Sequence, residues 1–133
     1  MSSHPGLADW HDYMQSGGDM SLLAALVGDN AVFHSPVVHT PQHGKAKVMA
    51  YLGAASVVLG NDSFRYVREL VDGDDVLLEF TAEIDGIHVN GIDLIRFDPA
   101  GMIKDFKVMV RPLKAVNKLW EMMGAQLSAA PPG

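Results

Sequence analysis

The chain has 133 residues, 48% of them hydrophobic and 20% charged, with a formal net charge of −6 and no cysteine. That length and balance fit one well-cored domain and argue against disorder. The acidic balance and scattered basic residues argue against a nucleic-acid surface or a polybasic membrane patch, and the absent cysteines exclude disulfides, thiolate metal sites and thiol nucleophiles.

In chain order, Leu7, Trp10, Tyr13 and Met14 recur at helical spacing, and Gly17-Gly18 closes a first helix over Leu7–Gln15. Asp19 is placed as the N-cap of a short helix with Met20, Leu22, Leu23, Leu26 and Val27, closed by Gly28. A brief strand at Asn30–His34 leads into Ser35–Gly44, a loop with two prolines and two histidines. Val48, Met49, Leu52, Ala55, Ser56 and Leu59 form one stripe of a longer helix over Lys45–Leu59. The period then changes from helix to strand. Phe64–Val71, Val76–Ile84, Ile87–Phe97 and Ile103–Val110 are β-rich runs divided by Asp-Gly and Pro-Ala-Gly turns. Pro112 opens a last helix with Leu113, Val116, Leu119, Trp120 and Met123, and residues 128–133 are expected to fray.

Helices followed by a strand meander predict an α+β fold, a curved and mainly antiparallel sheet wrapped around N-terminal helices. No repeat or internal break divides the domain, whose core spans about 7–127. A sheet bent over a helix makes a cone with an apolar pocket for a small hydrophobic molecule. Its convex face is left free for a homodimer. Met1–Leu7 lacks a basic start before an apolar run, and no stretch approaches the roughly 18 apolar residues of a membrane span. A cytoplasmic protein without membrane or nucleic-acid partners is expected.

Asp93 is the residue that breaks the pattern. Alternation along Gly91–Phe97 puts it on the same face as Ile95 and Phe97, while Leu94 and Arg96 point away. A carboxyl on an apolar face either takes up a proton or finds a hydrogen bond, and such groups cluster at functional sites. By the same register Ile95, Phe106, Val108 and Val110 face into the cone, with Trp10 and Leu52 contributed by helices. All six are assigned to ligand binding.

The strings Gly18-Asp19-Met20, Asp29-Asn30-Ala31-Val32-Phe33, Gly44-Lys45-Ala46 and Ile92-Asp93-Leu94-Ile95-Arg96-Phe97-Asp98, in this order of elements, resemble the nuclear transport factor two-like superfamily. The resemblance is to its SnoaL-like and ketosteroid-isomerase-like branch, over about Leu7–Leu127. It implies a cofactor-free isomerase, cyclase or dehydratase moving protons on a small hydrophobic carbonyl compound, or a binding module that performs no chemistry. Asp93 matches the family's oxyanion-hole aspartic acid, which an apolar site keeps neutral. His11 falls at the family's tyrosine and Ser35 at its general-base carboxylate. A serine hydroxyl is a weak base, so His34 is the remaining candidate base and His11 a second donor beside Asp93. Adjacent strand residues face opposite ways, so His34 and Ser35 cannot both point inward on a regular strand.

The remaining polar residues read more simply. His34, His39 and His43 lie in an irregular segment without ligand spacing, so no metal is assigned. Glu79 and Glu83 belong to the hydrophilic face of a strand whose other face is Leu78, Phe80, Ala82 and Ile84, with Lys107 and Arg111 as cross-strand partners. Trp120 is placed in the core or over the pocket. The glycines sit at turns and helix ends rather than in a phosphate loop, so no cofactor is expected.

Overall fold

The computed structural model describes residues 4–129 and orders them as α1 (Pro5–Gln15), α2 (Met20–Leu26), β1 (Val27–His34), β2 (Gln42–His43), α3 (Lys45–Leu59), β3 (Arg65–Asp72), β4 (Asp75–Ile84), β5 (Ile87–Phe97), β6 (Ile103–Arg111) and α4 (Leu113–Ala129). Six strands form one sheet in the order β2-β1-β6-β5-β4-β3. All neighbours are antiparallel except β1 and β6. The fold is the expected α+β roll, with N-terminal helices against a curved, mixed open sheet.

Local chemistry explains the turns. Ile84 pairs with Ile87, leaving Asp85 and Gly86 at φ 49° and 77° as a two-residue hairpin turn. The β5–β6 turn is held by Asp98, whose Oδ1 accepts from the amides of Ala100 and Met102, each at 2.9 Å. Asp19 caps α2 as expected, accepting from the amide of Ser21.

Several boundaries differ from the periodicity. Strand β1 starts at Val27, because Val27 buries itself beside Ile103 of β6 instead of extending α2 to Gly28. Gln42–His43 pairs with Val32–Phe33, so the expected loop contains an edge strand. Helix α1 begins at Pro5, in the first turn where a missing amide hydrogen costs nothing. Ser128 and Ala129 continue α4, and the rest of the expected frayed tail lies outside the described residues.

One face of β4, β5 and β6 is buried against the helices. Leu78, Phe80, Ala82 and Ile84 are buried, as strand alternation requires. The core has two joined clusters. One gathers Leu7, Trp10 and Tyr13 of α1 around Ile95, Phe97 and Phe106. The other gathers Ala115 and Leu119 of α4 around Phe80 and Val89. The cavity lies where they meet. Among the described residues, no helix is long and apolar enough to cross a membrane.

Candidate functional site

Asp93 is the sole buried charged residue of the described core, 7% exposed. It lies in the wall of a largely apolar cavity with a few convergent polar groups, the character of a small-molecule site. Two roomier hollows lie at the surface, one along α3 and one on the outer sheet face, and neither reaches Asp93. The cavity wall is aromatic and aliphatic: Trp10 from α1, Phe33 from β1, Phe64 and Tyr66 at β3, Phe80 from β4 and Phe106 from β6. Leu119 and Met123 close it from α4.

The glycine opposite Phe80 makes room for this wall. Gly91 pairs with Phe80 across β4–β5, and a Cβ there would lie 2.5 Å from the Phe80 ring and 2.7 Å from the Met109 carbonyl oxygen. The ring therefore lies over Gly91, two residues from Asp93 on the same strand face.

Tyr66 Oη donates to Asp93 Oδ2 at 2.7 Å, and Trp10 Nε1 donates to Tyr66 Oη at 3.0 Å. Burial pushes the Asp93 carboxyl up to about 7, against the opposing pull of the Tyr66 hydrogen bond. Burial first, then the negative charge of Asp93, pushes the Tyr66 phenol well above its usual range. Near neutral pH Asp93 therefore populates both protonation states while Tyr66 stays a neutral donor. Such a carboxyl can donate a hydrogen bond or a proton to a ligand oxygen, and once ionised can take one back.

Two serines complete the polar lining. Ser56 Oγ donates to the Leu52 carbonyl and so accepts from buried Tyr13, at 2.6 Å. Ser35 Oγ accepts from the amides of Val37 and Val38 at 3.1 and 3.3 Å, closing the loop after β1. Its hydroxyl hydrogen has no partner among the described residues. Asp93 and Tyr66 are the titratable residues lining the cavity among those described.

Of the residues picked from sequence, Asp93, Trp10, Leu52, Phe106 and Val108 line the cavity. His11, His34, Ile95 and Val110 do not. Helix α1 buries Leu7, Trp10 and Tyr13, which turns His11 to the edge of that face. Its Nε2 meets Glu69 Oε1 at 2.9 Å and its ring stands edge-on to Tyr66, behind the site. His34 follows the inward Phe33 and so points to the outer sheet face, where Nε2 meets Asp105 Oδ1 at 2.9 Å. Ser35, the next residue, turns inward again. Ile95 shares Asp93's face but is packed solid in the first core cluster, and Val110 packs against the second.

Two smaller assignments also change. Arg111 donates from Nε to Asn90 Oδ1 rather than to a glutamate, because Asn90 lies directly opposite it. Trp120 is 64% exposed, on the outer side of α4. No group of three His, Asp or Glu side chains poised for a metal occurs among the described residues.

Tyr66 is the partner that sequence reading missed. A β-bulge between Tyr66 and Arg68 explains why. Tyr66 pairs with inward Phe80 and Arg68 with outward Glu79, although simple alternation would put both on one face. The available signal was a single phenol beside Phe64 at the start of an otherwise polar strand.

A family model for the SnoaL-like domain matches residues 7–106. Among solved structures, a steroid delta-isomerase from Pseudomonas aeruginosa is 39% identical, with 97% of this chain and 95% of that one covered and a TM-score of 0.89. An uncharacterised bacterial protein with a cystatin-like fold from Silicibacter pomeroyi is 33% identical, with 96% and 88% covered and a TM-score of 0.87. The epoxide hydrolase/cyclase-like enzyme SalBIII, from pyran ring formation in salinomycin, shares the fold at 18% identity, with 80% and 90% covered and a TM-score of 0.63. No curated protein matches the sequence. The chain belongs to the SnoaL-like domain family, in the ketosteroid-isomerase-like branch of the nuclear transport factor two-like superfamily.

Proposed function

We propose that this protein is a cofactor-free isomerase, cyclase or dehydratase that binds a small, largely apolar carbonyl compound and acts on it by proton transfer. The observation that carries the reading is Asp93, a carboxyl in an apolar cavity whose protonation is balanced near pH 7 by burial. Neutral Asp93 donates to the carbonyl oxygen as negative charge builds there, and its low-dielectric surroundings strengthen that donation. Polarising the carbonyl makes the neighbouring C–H acidic; as Asp93 gives its proton to the carbonyl oxygen, the carboxylate it leaves takes the proton released from carbon, so the ketone becomes an enol and Asp93 ends protonated. The steroid delta-isomerase similarity supports an unsaturated ketone as the first compound to try.

A second reading is a binding module of the same fold that performs no chemistry. Ser35 favours it, since a hydroxyl stands where the family resemblance calls for a carboxylate and neither histidine candidate lines the cavity. We also read the outer sheet face, where Leu70 and Met109 are exposed, as a homodimer surface, which light scattering in solution tests.

The two main readings separate in one experiment. A β,γ-unsaturated cyclic ketone is incubated with the protein and with Asp93→Asn, and the conjugated product is followed by ultraviolet absorbance. Turnover that drops on the order of 10²–10³-fold in the variant supports the enzyme. Binding of the ketone without turnover, weakening as pH rises through the Asp93 titration, supports the module.

A further inference from the structure

The hydrogen-bond chain behind Asp93 has a direction. An indole N–H donates and cannot accept, so Trp10 occupies one acceptor site of Tyr66 Oη. The phenol has one hydrogen, and its only other partner among the described residues is Asp93 Oδ2. Asp93 Oδ1 has no protein partner among them. Among the described residues no fully buried side-chain oxygen lacks a partner, so Oδ1 keeps access to the cavity.

We propose that Trp10 is a positioning residue acting through Tyr66: its N–H turns the phenol hydrogen onto Asp93 Oδ2, so that the dissociable proton of Asp93 rides on Oδ1, facing the ligand. The proposal rests on the reading above only in placing the ligand's oxygen at Asp93. A carboxyl otherwise has two equivalent oxygens and can turn its proton away from a ligand. Here one oxygen is committed to the phenol in both protonation states. A phenol that already accepts a hydrogen bond is also a stronger donor, so Trp10 reinforces the Tyr66 bond to the carboxylate.

The surroundings offer few competing charges. Tyr13, 5.3 Å from Trp10 between ring centroids, is pushed up by burial and stays neutral. His11 and Glu69 pair with each other behind the Tyr66 ring. The contributions of α3, α4, β4 and β6 to the cavity wall carry no charge: Ser56, Leu119, Phe80 and Phe106.

The opposite polarity, with neutral Asp93 donating to Tyr66, predicts an effect of opposite sign. If the phenol donates, removing it withdraws a hydrogen bond from the carboxylate and raises the Asp93 titration midpoint. If the phenol accepts, removing it withdraws a bond from the neutral acid and lowers the midpoint.

The test is carbon NMR of the Asp93 carboxyl in isotope-labelled protein across neutral pH, with the resonance assigned by its loss in Asp93→Asn. Tyr66→Phe should raise the midpoint by roughly one unit and Trp10→Phe by less, in the same direction. A lowered midpoint in Tyr66→Phe overturns the polarity, and an unmoved one in Trp10→Phe overturns the role of Trp10. Should Trp10→Phe fail to fold, the unaltered protein still decides. Its Trp10 indole N–H resonance, told from that of exposed Trp120 by slow hydrogen exchange, should shift with the Asp93 midpoint; a flat response overturns the relay. Turnover enters none of these readings, so loss of the enzyme reading and loss of the relay are separate results.

Discussion

Strands β4 and β5 carry aspartates on both faces, and the two faces treat them in opposite ways. Outside, Asp75 receives two hydrogen bonds from Arg96, at 2.8 and 3.2 Å, and the guanidinium holds its carboxyl below the usual range. Inside, Asp93 receives one hydrogen bond from Tyr66, yet burial pushes its carboxyl up to about 7. Each has a donor at close range. Charge and water make the difference: a cationic donor and solvent favour ionised Asp75, whereas the cavity wall leaves ionised Asp93 with little besides a neutral phenol. On this sheet the carboxyl that has lost solvent and has no cation beside it is the one raised toward neutral pH.

The largest way to break this comparison is Asp93→Asn, which keeps the shape and removes the proton. Turnover of an accepted ketone should fall on the order of 10²–10³-fold, and unchanged turnover would mean that the outer and inner aspartates are equally idle.

Stability provides the next test. Folded Asp93 titrates near 7 and unfolded Asp near 4, so the folded state holds the extra proton between those values. Unfolding free energy should therefore fall as pH rises across that window, by up to about 4 kcal/mol, and level off above it. Asp93→Asn should remove that slope in urea titrations at several pH values. Parallel profiles for the two proteins would show that Asp93 is solvated after all.

A smaller effect is expected at Gly91. Gly91→Ala pushes a methyl group against Phe80 and the Met109 carbonyl, and overpacking of that kind costs about 1–3 kcal/mol, measurable as a lower urea midpoint. An unaltered midpoint would mean that the Phe80 wall yields easily. The smallest effect belongs to the outer face. His34→Ala should change stability by no more than about 0.5 kcal/mol and leave ketone affinity as it was, since His34 meets Asp105 on the far side of the sheet. A marked loss of affinity would bring His34 back into the site.

Much of this site was legible along the chain because strand alternation is a short-range rule. Asp93, Phe106 and Val108 follow from counting by twos, and Trp10 and Leu52 from helical spacing. Where that counting failed, a long-range contact decided. His11 is one residue from Trp10, so a rotation of about 100° around α1 moves it from the cavity to the Glu69 side. Ile95 faces inward correctly but lies where α1 fills the space. Tyr66 depends on a bulge, and a bulge is defined by the partner strand that it mismatches.

By itself the sequence determined the elements apart from the short edge strand β2, the buried face of each central strand and the position of a carboxyl among apolar side chains, because these depend on periodicity within a few residues. Only the tertiary structure decided which groups meet that carboxyl. Trp10, Tyr66 and Asp93 are separated by 56 and 27 residues along the chain. Their contact depends on the packing of α1 across the sheet and on the β3–β4 register, which no local pattern encodes.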